Sequence, residues 1–159
     1  MNRLGNLDHP RSIYEKYFSS VGNFPISGGW GYSIEDACVI DPSLHSGPTP
    51  FDFYSWQNVI VEKRIFLECI TTRAEGEEYN KLKWELDTQI LRSANGRNYD
   101  HLSYKVSGIP EVAWLAFQNE VTEARKTDKH IGMLIEEIES QRHYFSTEYW
   151  FDIPLKNLQ

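Results

Sequence analysis

Two stretches of alternating apolar and polar residues lie on either side of the dipeptide Asn95-Gly96. One side of the first stretch carries Leu82, Trp84, Leu86, Thr88 and Ile90, all apolar except Thr88, and the alternation resumes over residues 102–106. A period of two is typical of a strand with one buried face, and Asn-Gly tolerates the positive φ that a tight turn requires. The sequence therefore predicts an antiparallel hairpin over residues 82–107, and the fold must bury one face of it.

After the hairpin, the apolar period changes to three and four, which is typical of amphipathic helices. Pro110 stands where the first turn of a helix tolerates it. The apolar stripe of the first helix comprises Trp114, Phe117, Val121 and Ala124, and that of the second Ile131, Leu134, Ile135 and Ile138. Residues 144–153 alternate again and are expected to return to the sheet as a strand. Grouped strands followed by helices favour an α+β fold, with a mainly antiparallel sheet and both helices packed on it.

The N-terminal half contains weaker signals. Ser12 and Glu15 have capping-box spacing, which predicts a short helix over residues 12–20. Residues 34–40 resemble a strand, and residues 58–72 are rich in β-branched residues, which also favours a strand. Residues 41–56 begin with the proline-rich run DPSLHSGPTP and are expected to form a surface loop, and residues 1–10 a flexible segment.

Length and charge limit the classes of protein that the chain could represent. It has 159 residues, which fits a single domain over residues 1–159. The formal net charge of −7 disfavours nucleic acid as a partner, since a polyanion is normally held by a basic face. No apolar run approaches the roughly 20 residues that cross a bilayer, and the N-terminus lacks the apolar stretch of a signal peptide. We therefore expect a cytoplasmic protein without membrane contact.

Motifs that carry chemistry are not evident. The five histidines show no metal-ligand spacing, and Cys38 and Cys69 lie in apolar settings that favour inert core thiols. The glycine cluster 28–31 contains a Trp and precedes two acids, which favours a turn over a phosphate site. We expect no catalytic residue, no metal and no cofactor, although the sequence leaves a small enzyme open.

The distribution of charge is the most informative feature for function. Between Lys16 and Lys63 there is no Lys or Arg, whereas five acids and nine aromatic residues lie in that stretch. Aromatic anchors with uncompensated acids are typical of a protein-recognition surface. The candidate partner-binding residues are Trp30, Tyr32, Glu35, Asp36, Asp41, Asp52 and Trp56. The alternative interpretation is that these aromatics form a core beneath acidic loops. Glu136, Glu137 and Glu139 form a second acidic patch.

The segment GGWGYSIEDACVID at residues 28–41, with VEKRIF at 61–66, resembles small uncharacterised bacterial proteins, a likeness that implies no activity. In general character, a small acidic domain without a catalytic motif also resembles the immunity proteins of bacterial toxin systems. That likeness implies a partner that is a basic protein, namely the cognate toxin, for example a nuclease.

Three hypotheses follow. The first is a non-catalytic immunity protein that neutralises a toxin by direct binding. The second is a small-molecule-binding domain or small enzyme with a pocket lined by Trp84, Tyr104 and Trp114, in which His101 would titrate. The third is a structural subunit that self-associates through an apolar patch.

Overall fold

The structure is a computed structural model that describes residues 2–8, 10–18 and 24–153. It is α+β, as the sequence predicts, with one mixed sheet and four α-helices in the described ranges. The strands are β1 (Asn2–Arg3), β2 (Ile26–Gly28), β3 (Cys38–Ile40), β4 (Tyr79–Ala94), β5 (Arg97–Pro110) and β6 (His143–Ile153). The helices are α1 (Pro10–Phe18), α2 (Phe53–Phe66), α3 (Glu111–Lys126) and α4 (Gly132–Ser140).

The sheet is mainly antiparallel, in the order β2-β3-β6-β5-β4. The pairs β2–β3, β4–β5 and β5–β6 are antiparallel, whereas β3 and β1 both pair with β6 in parallel. The two-residue strand β1 lies within the segment 1–10 that the sequence predicts to be flexible. Leu4, which follows it, is buried in the core, and its N–H donates to the carbonyl of Ser146. Residues 1 and 9 lie outside the described part of the chain.

The predicted hairpin is confirmed as β4 and β5, with Asn95 (φ 52°) and Gly96 (φ 74°) at its turn. A register shift between Leu86 and Thr88 interrupts the expected alternation. Leu86 pairs with Tyr104 on the face that packs against the core, whereas Ile90 pairs with His101 on the opposite face. One irregularity therefore places apolar residues of β4 on both faces of the sheet.

The prediction of a strand over residues 58–72 is wrong, because this segment is helical. α2 begins at Phe53 and continues through a π-helical turn, Leu67–Thr71. Its buried residues recur at helical spacing along one side: Phe53, Gln57, Ile60, Val61, Arg64 and Ile65. This stripe packs in the same apolar core as Leu102, Tyr104 and Tyr149 of the sheet. α2 thus contributes to the core on one face of the sheet, which leaves an opposite face that bears His101, Lys105 and Tyr144.

The surface loop predicted for residues 41–56 is shorter than expected. Residues 42–50 are mostly exposed and include a 3-10 turn, Pro42–Leu44, but residues 53–56 already belong to α2. Likewise, of the strand predicted over 34–40, only Cys38–Ile40 is extended. The helix predicted over 12–20 is confirmed as α1 up to Phe18, and residues 19 and 20 lie outside the described residues.

Helices α3 and α4 are confirmed, and α3 contacts α4, β4 and β5. Ala124 and Ile138 are their buried residues. Ile135, which the sequence places in the buried stripe, is exposed. The closing strand is confirmed as β6, with Phe145, Tyr149, Phe151 and Ile153 all buried.

Candidate protein-interaction surface

Asp36 organises the turn between β2 and β3. Its carboxylate accepts hydrogen bonds from the backbone N–H groups of Trp30 and Tyr32, each at 3.2 Å. The side chain is half-buried, and Gly29 approaches it so closely that a Cβ at position 29 would overlap the carboxylate. Asp36 is therefore a component of the turn as well as a candidate for binding.

Asp41 and Asp52 each cap the start of a helical segment. Asp41 accepts from the N–H of Ser43 at 2.9 Å and precedes the 3-10 turn, while Asp52 accepts from the N–H of Ser55 at 2.8 Å and is the N-cap of α2. Hydrogen bonds from the Ser43 and Ser55 hydroxyls, followed by those from the backbone, lower the pKa of both carboxyls. Both acids are therefore ionised near neutral pH.

Glu35 is fully exposed at the same turn as Asp36. Hydrogen bonding to its own backbone and to Ser33 lowers the pKa of its carboxyl. It lines a shallow cavity of about 280 Å³ that also includes Tyr99 and the ion pair between Arg97 and Asp152. Among the side chains that the structure describes, which exclude those of residues 2, 10 and 11, the ion pairs involve other acids, so that Glu35, Asp41 and Asp52 have no cationic partner there.

The three candidate aromatic residues contribute to the protein's interior. Trp30 is 4% exposed and its ring lies 5.4 Å from that of Tyr14. The Tyr32 hydroxyl donates to Glu68 at 2.7 Å and accepts from the N–H of Leu7 at 3.0 Å. Trp56 is half-buried between Phe24 and His45. The aromatics thus match the alternative interpretation, a core beneath acidic loops, more closely than they match surface anchors.

A buried polar cluster, which the sequence analysis did not find, joins α2 to β6 and to the β2–β3 turn. The Arg64 side chain is fully buried and donates to the Trp30 carbonyl at 3.1 Å, to Thr147 Oγ1 at 2.9 Å and to the Glu148 carbonyl. Its guanidinium lies 4.3 Å from the ring centre of Tyr32 and 3.7 Å from that of Tyr149.

Glu68 completes this cluster, with Oε1 lying 3.0 Å from Arg64 Nε. Burial raises the pKa of Glu68, while Arg64 and the Tyr32 hydroxyl oppose that rise. The cluster has no opening in the described structure, since Arg64 and Glu68 are both buried. We therefore interpret it as the connection that holds the acidic turn on the sheet.

The three residues of the second acidic patch differ in their contacts. Glu136 and Glu137 are exposed, whereas Glu139 accepts from Arg142 Nε and Nη2 at 3.0 Å each and from Lys83 at 3.3 Å. These hydrogen bonds lower the pKa of Glu139 to about 2. Glu139 therefore fixes the end of α4 to β4 and has little capacity left for a partner.

Both cysteines are buried, and His101 is partly buried. Cys38 and Cys69 are buried free thiols, and burial raises the pKa of Cys69 to about 12, which keeps it protonated. His101 stacks on Trp150 at 3.9 Å, and burial lowers its pKa. In the described ranges no three His, Cys, Asp or Glu residues are placed to hold a metal ion.

Trp84, Tyr104 and Trp114, which the sequence analysis places around one pocket, have different surroundings in the structure. Trp84 lines a cavity of about 290 Å³ at the end of α4. Tyr104 instead packs in the core against Tyr149, and Trp114 packs against Phe117 with Lys81 over its ring.

Comparison with known proteins gives no relative: no protein-family model, curated protein or solved structure matches the chain. Among the described residues, no helix has the length and apolar character needed to cross a bilayer.

Proposed function

We propose that this chain is a non-catalytic domain that binds a basic protein, in the manner of an immunity protein that neutralises a cognate toxin by direct contact. The observation that supports this function is the set of carboxylates on Glu35, Asp41 and Asp52, which have no cationic partner among the described side chains. Such charges attract Lys and Arg side chains of a partner and accelerate its association.

The geometry of these acids favours recognition. Local hydrogen bonds orient the carboxylates of Asp41 and Asp52 before any partner arrives, so that little side-chain entropy is lost on binding. Because they are exposed, we expect them to contribute mainly to the association rate and its salt dependence, and less to the dissociation rate.

Apolar anchors for the interface are available beside the two caps. Leu44 is 44% exposed in the turn that Asp41 caps, and Tyr54 is 55% exposed in the first turn of α2. His45 contacts Phe51 and Trp56, which joins the 3-10 turn to the start of α2. Leu44 and Tyr54 therefore replace Trp30 as the proposed anchors of the partner-binding surface.

The test removes charge while preserving the caps. Asn is as effective an N-cap as Asp, so the triple variant Glu35→Gln, Asp41→Asn, Asp52→Asn removes the charges and leaves the fold intact. Asp36 stays unchanged because its carboxylate holds the turn. The matched control is Glu75→Gln, Glu77→Gln, Asp128→Asn, which makes the same charge change at exposed positions elsewhere.

Each form is immobilised and exposed to lysate of the source cells at low and high salt, and a retained protein is identified, purified and measured by stopped-flow association. The wild type and the control should bind one basic protein at rates that fall steeply with salt. The triple variant should associate at least tenfold more slowly at low salt. Equal rates for the triple variant and the control, or retention of no basic protein, would refute the proposal.

A further inference from the structure

The cavity of about 290 Å³ lies where α4 ends against the face of the sheet opposite α2. Its floor contains Lys83 and Glu85 of β4 opposite Ser107 and Lys105 of β5. Glu139 and Arg142 form its wall, and the exposed ring of Tyr144 lies at its rim. It is separate from the acidic caps of the proposed partner-binding surface.

The two lysines that line the cavity keep N–H groups beyond those used in their ion pairs. Each lysine ammonium has three N–H groups. Lys83 uses one on Glu139, and Lys105 uses one on Asp87 at 2.6 Å, a residue that does not line the cavity. The buried Ser107 hydroxyl oxygen accepts from Arg142, which leaves its proton to be donated.

Cationic side chains outnumber carboxylates in the lining of this cavity, with Lys83, Lys105 and Arg142 against Glu85 and Glu139. The carboxylate of Glu139 is occupied by Arg142 and Lys83, and its pKa of about 2 keeps it ionised and bound to them. Arg142, whose side chain is 2% exposed, is itself held by Glu139 and the Lys81 carbonyl. Glu85 is the remaining carboxylate of the lining, and it lies opposite Lys105 in the strand register.

We propose that this cavity is a binding site for a compact anion whose headgroup is a carboxylate or phosphate, held by Lys83, Lys105 and Ser107. The volume equals about ten water molecules at about 30 Å³ each, which suits a headgroup that carries one small ring or chain. Tyr144 provides the apolar contact for that remainder. Lysine is a common ligand for phosphate as a point charge, and Lys83 and Lys105 provide two.

Isothermal titration calorimetry at low salt tests the site with inorganic phosphate, phenyl phosphate and benzoate. Benzamide serves as the neutral probe and benzylamine as the cationic probe. We expect saturable one-to-one binding of phenyl phosphate or benzoate, and tighter binding of phenyl phosphate than of inorganic phosphate. Benzamide and benzylamine should bind at least tenfold more weakly.

Lys105→Gln should weaken binding of the anion at least tenfold, and Lys83→Gln should do the same. Lys126→Gln is the matched control, because Lys126 also forms an exposed ion pair, with Glu123, but lies outside the cavity. Thermal melts establish that each variant is folded. No saturable binding of any anion, preference for benzylamine, or equal loss in Lys126→Gln would overturn the proposal.

Discussion

Replacing Arg64 with Met is expected to lower the free energy of unfolding by about 3–5 kcal/mol, because the guanidinium is fully buried and contacts several elements at once. Its loss leaves the Trp30 carbonyl, the Glu148 carbonyl and Thr147 Oγ1 without this donor. Each buried acceptor left unsatisfied costs about 1–3 kcal/mol. The three costs together exceed this range at their upper limit. Because the protein relaxes around the smaller side chain, we expect the total to be about 3–5 kcal/mol, the cost of breaking a buried ion pair.

The variant Arg64→Lys distinguishes the contribution of the positive charge from the contribution of the planar guanidinium group. Lysine keeps the positive charge beside Glu68, but it cannot reach the three acceptors in a planar fork or stack between Tyr32 and Tyr149. We expect Arg64→Lys to lower the free energy of unfolding by about 1–3 kcal/mol, which is less than the loss expected for Arg64→Met.

The pH dependence gives an independent readout. Burial raises the pKa of Glu68 in the folded state, and Arg64 opposes that rise. An acid with a raised folded-state pKa stabilises the protein fully below its unfolded pKa, and that contribution is lost as pH rises through the folded value. Without Arg64 the folded pKa rises further, so the cost of Arg64→Met should grow between pH 5 and pH 8.

Urea unfolding followed by circular dichroism measures the free energy of unfolding of each variant. The slope of that free energy against urea concentration should be the same in all of them if unfolding is two-state. A cost below 1 kcal/mol for Arg64→Met, or equal costs for Met and Lys, would refute the conclusion that the guanidinium holds α2, β6 and the acidic turn together.

Three further predictions concern local features. Asp52→Ala should lower the melting temperature because α2 loses its N-cap, whereas Asp52→Asn should not, and equal melting temperatures would exclude a capping role. Gly29→Ala should destabilise the fold by about 2 kcal/mol or more in urea unfolding, since its Cβ would displace the Asp36 carboxylate, while Gly5→Ala, with open space around it, should stay within about 0.5 kcal/mol. Burial against Trp150 lowers the pKa of His101, so the stability that His101 contributes should be present above about pH 6.5 and should fall as the pH drops. His101→Gln should reduce this pH dependence. If the urea midpoint changes equally between pH 7.5 and pH 5.5 in the wild type and in His101→Gln, the prediction is contradicted.

The hairpin and the C-terminal helices could be predicted because their signals are local. Asn95 and Gly96 have the positive φ that their types tolerate, and the alternation on both sides requires no knowledge of distant residues. The register shift at Leu86–Thr88 could not be predicted, because a bulge depends on how the two strands pack and leaves no sign in the alternation itself.

The error over α2 has a specific physical cause. Its buried stripe runs at spacings of three and four, but two of its positions are Gln57 and Arg64. These polar residues conceal the helical period from an analysis that counts apolar residues, and the β-branched residues between them then favour a strand. Gln57 is buried because it donates to Asp100, which lies 43 residues away in sequence. Such a partner becomes visible only once the fold is known.

In the acidic N-terminal half, too, some features follow from neighbouring residues in the sequence and others depend on residues far along the chain. The spacing Asp52-x-x-Ser55 is a capping pattern that the sequence displays, so the structural role of Asp52 could have been predicted from it. The burial of Trp30 could not, because it depends on α1 through Tyr14 and on Arg64 through the Trp30 carbonyl.

Capping and partner binding are compatible roles for the same carboxylate. A cap neutralises part of a helix dipole through backbone N–H groups, which satisfy one or two lone pairs of the carboxylate without a cation. The formal charge of Asp41 and Asp52 therefore stays available to a basic partner even though both side chains are held in place. Serine hydroxyl and backbone N–H donors, instead of ion pairs, therefore hold these two carboxylates in place in the described structure. Substitution by Asn keeps the donors satisfied and removes the charge, so it distinguishes the two roles in a single variant.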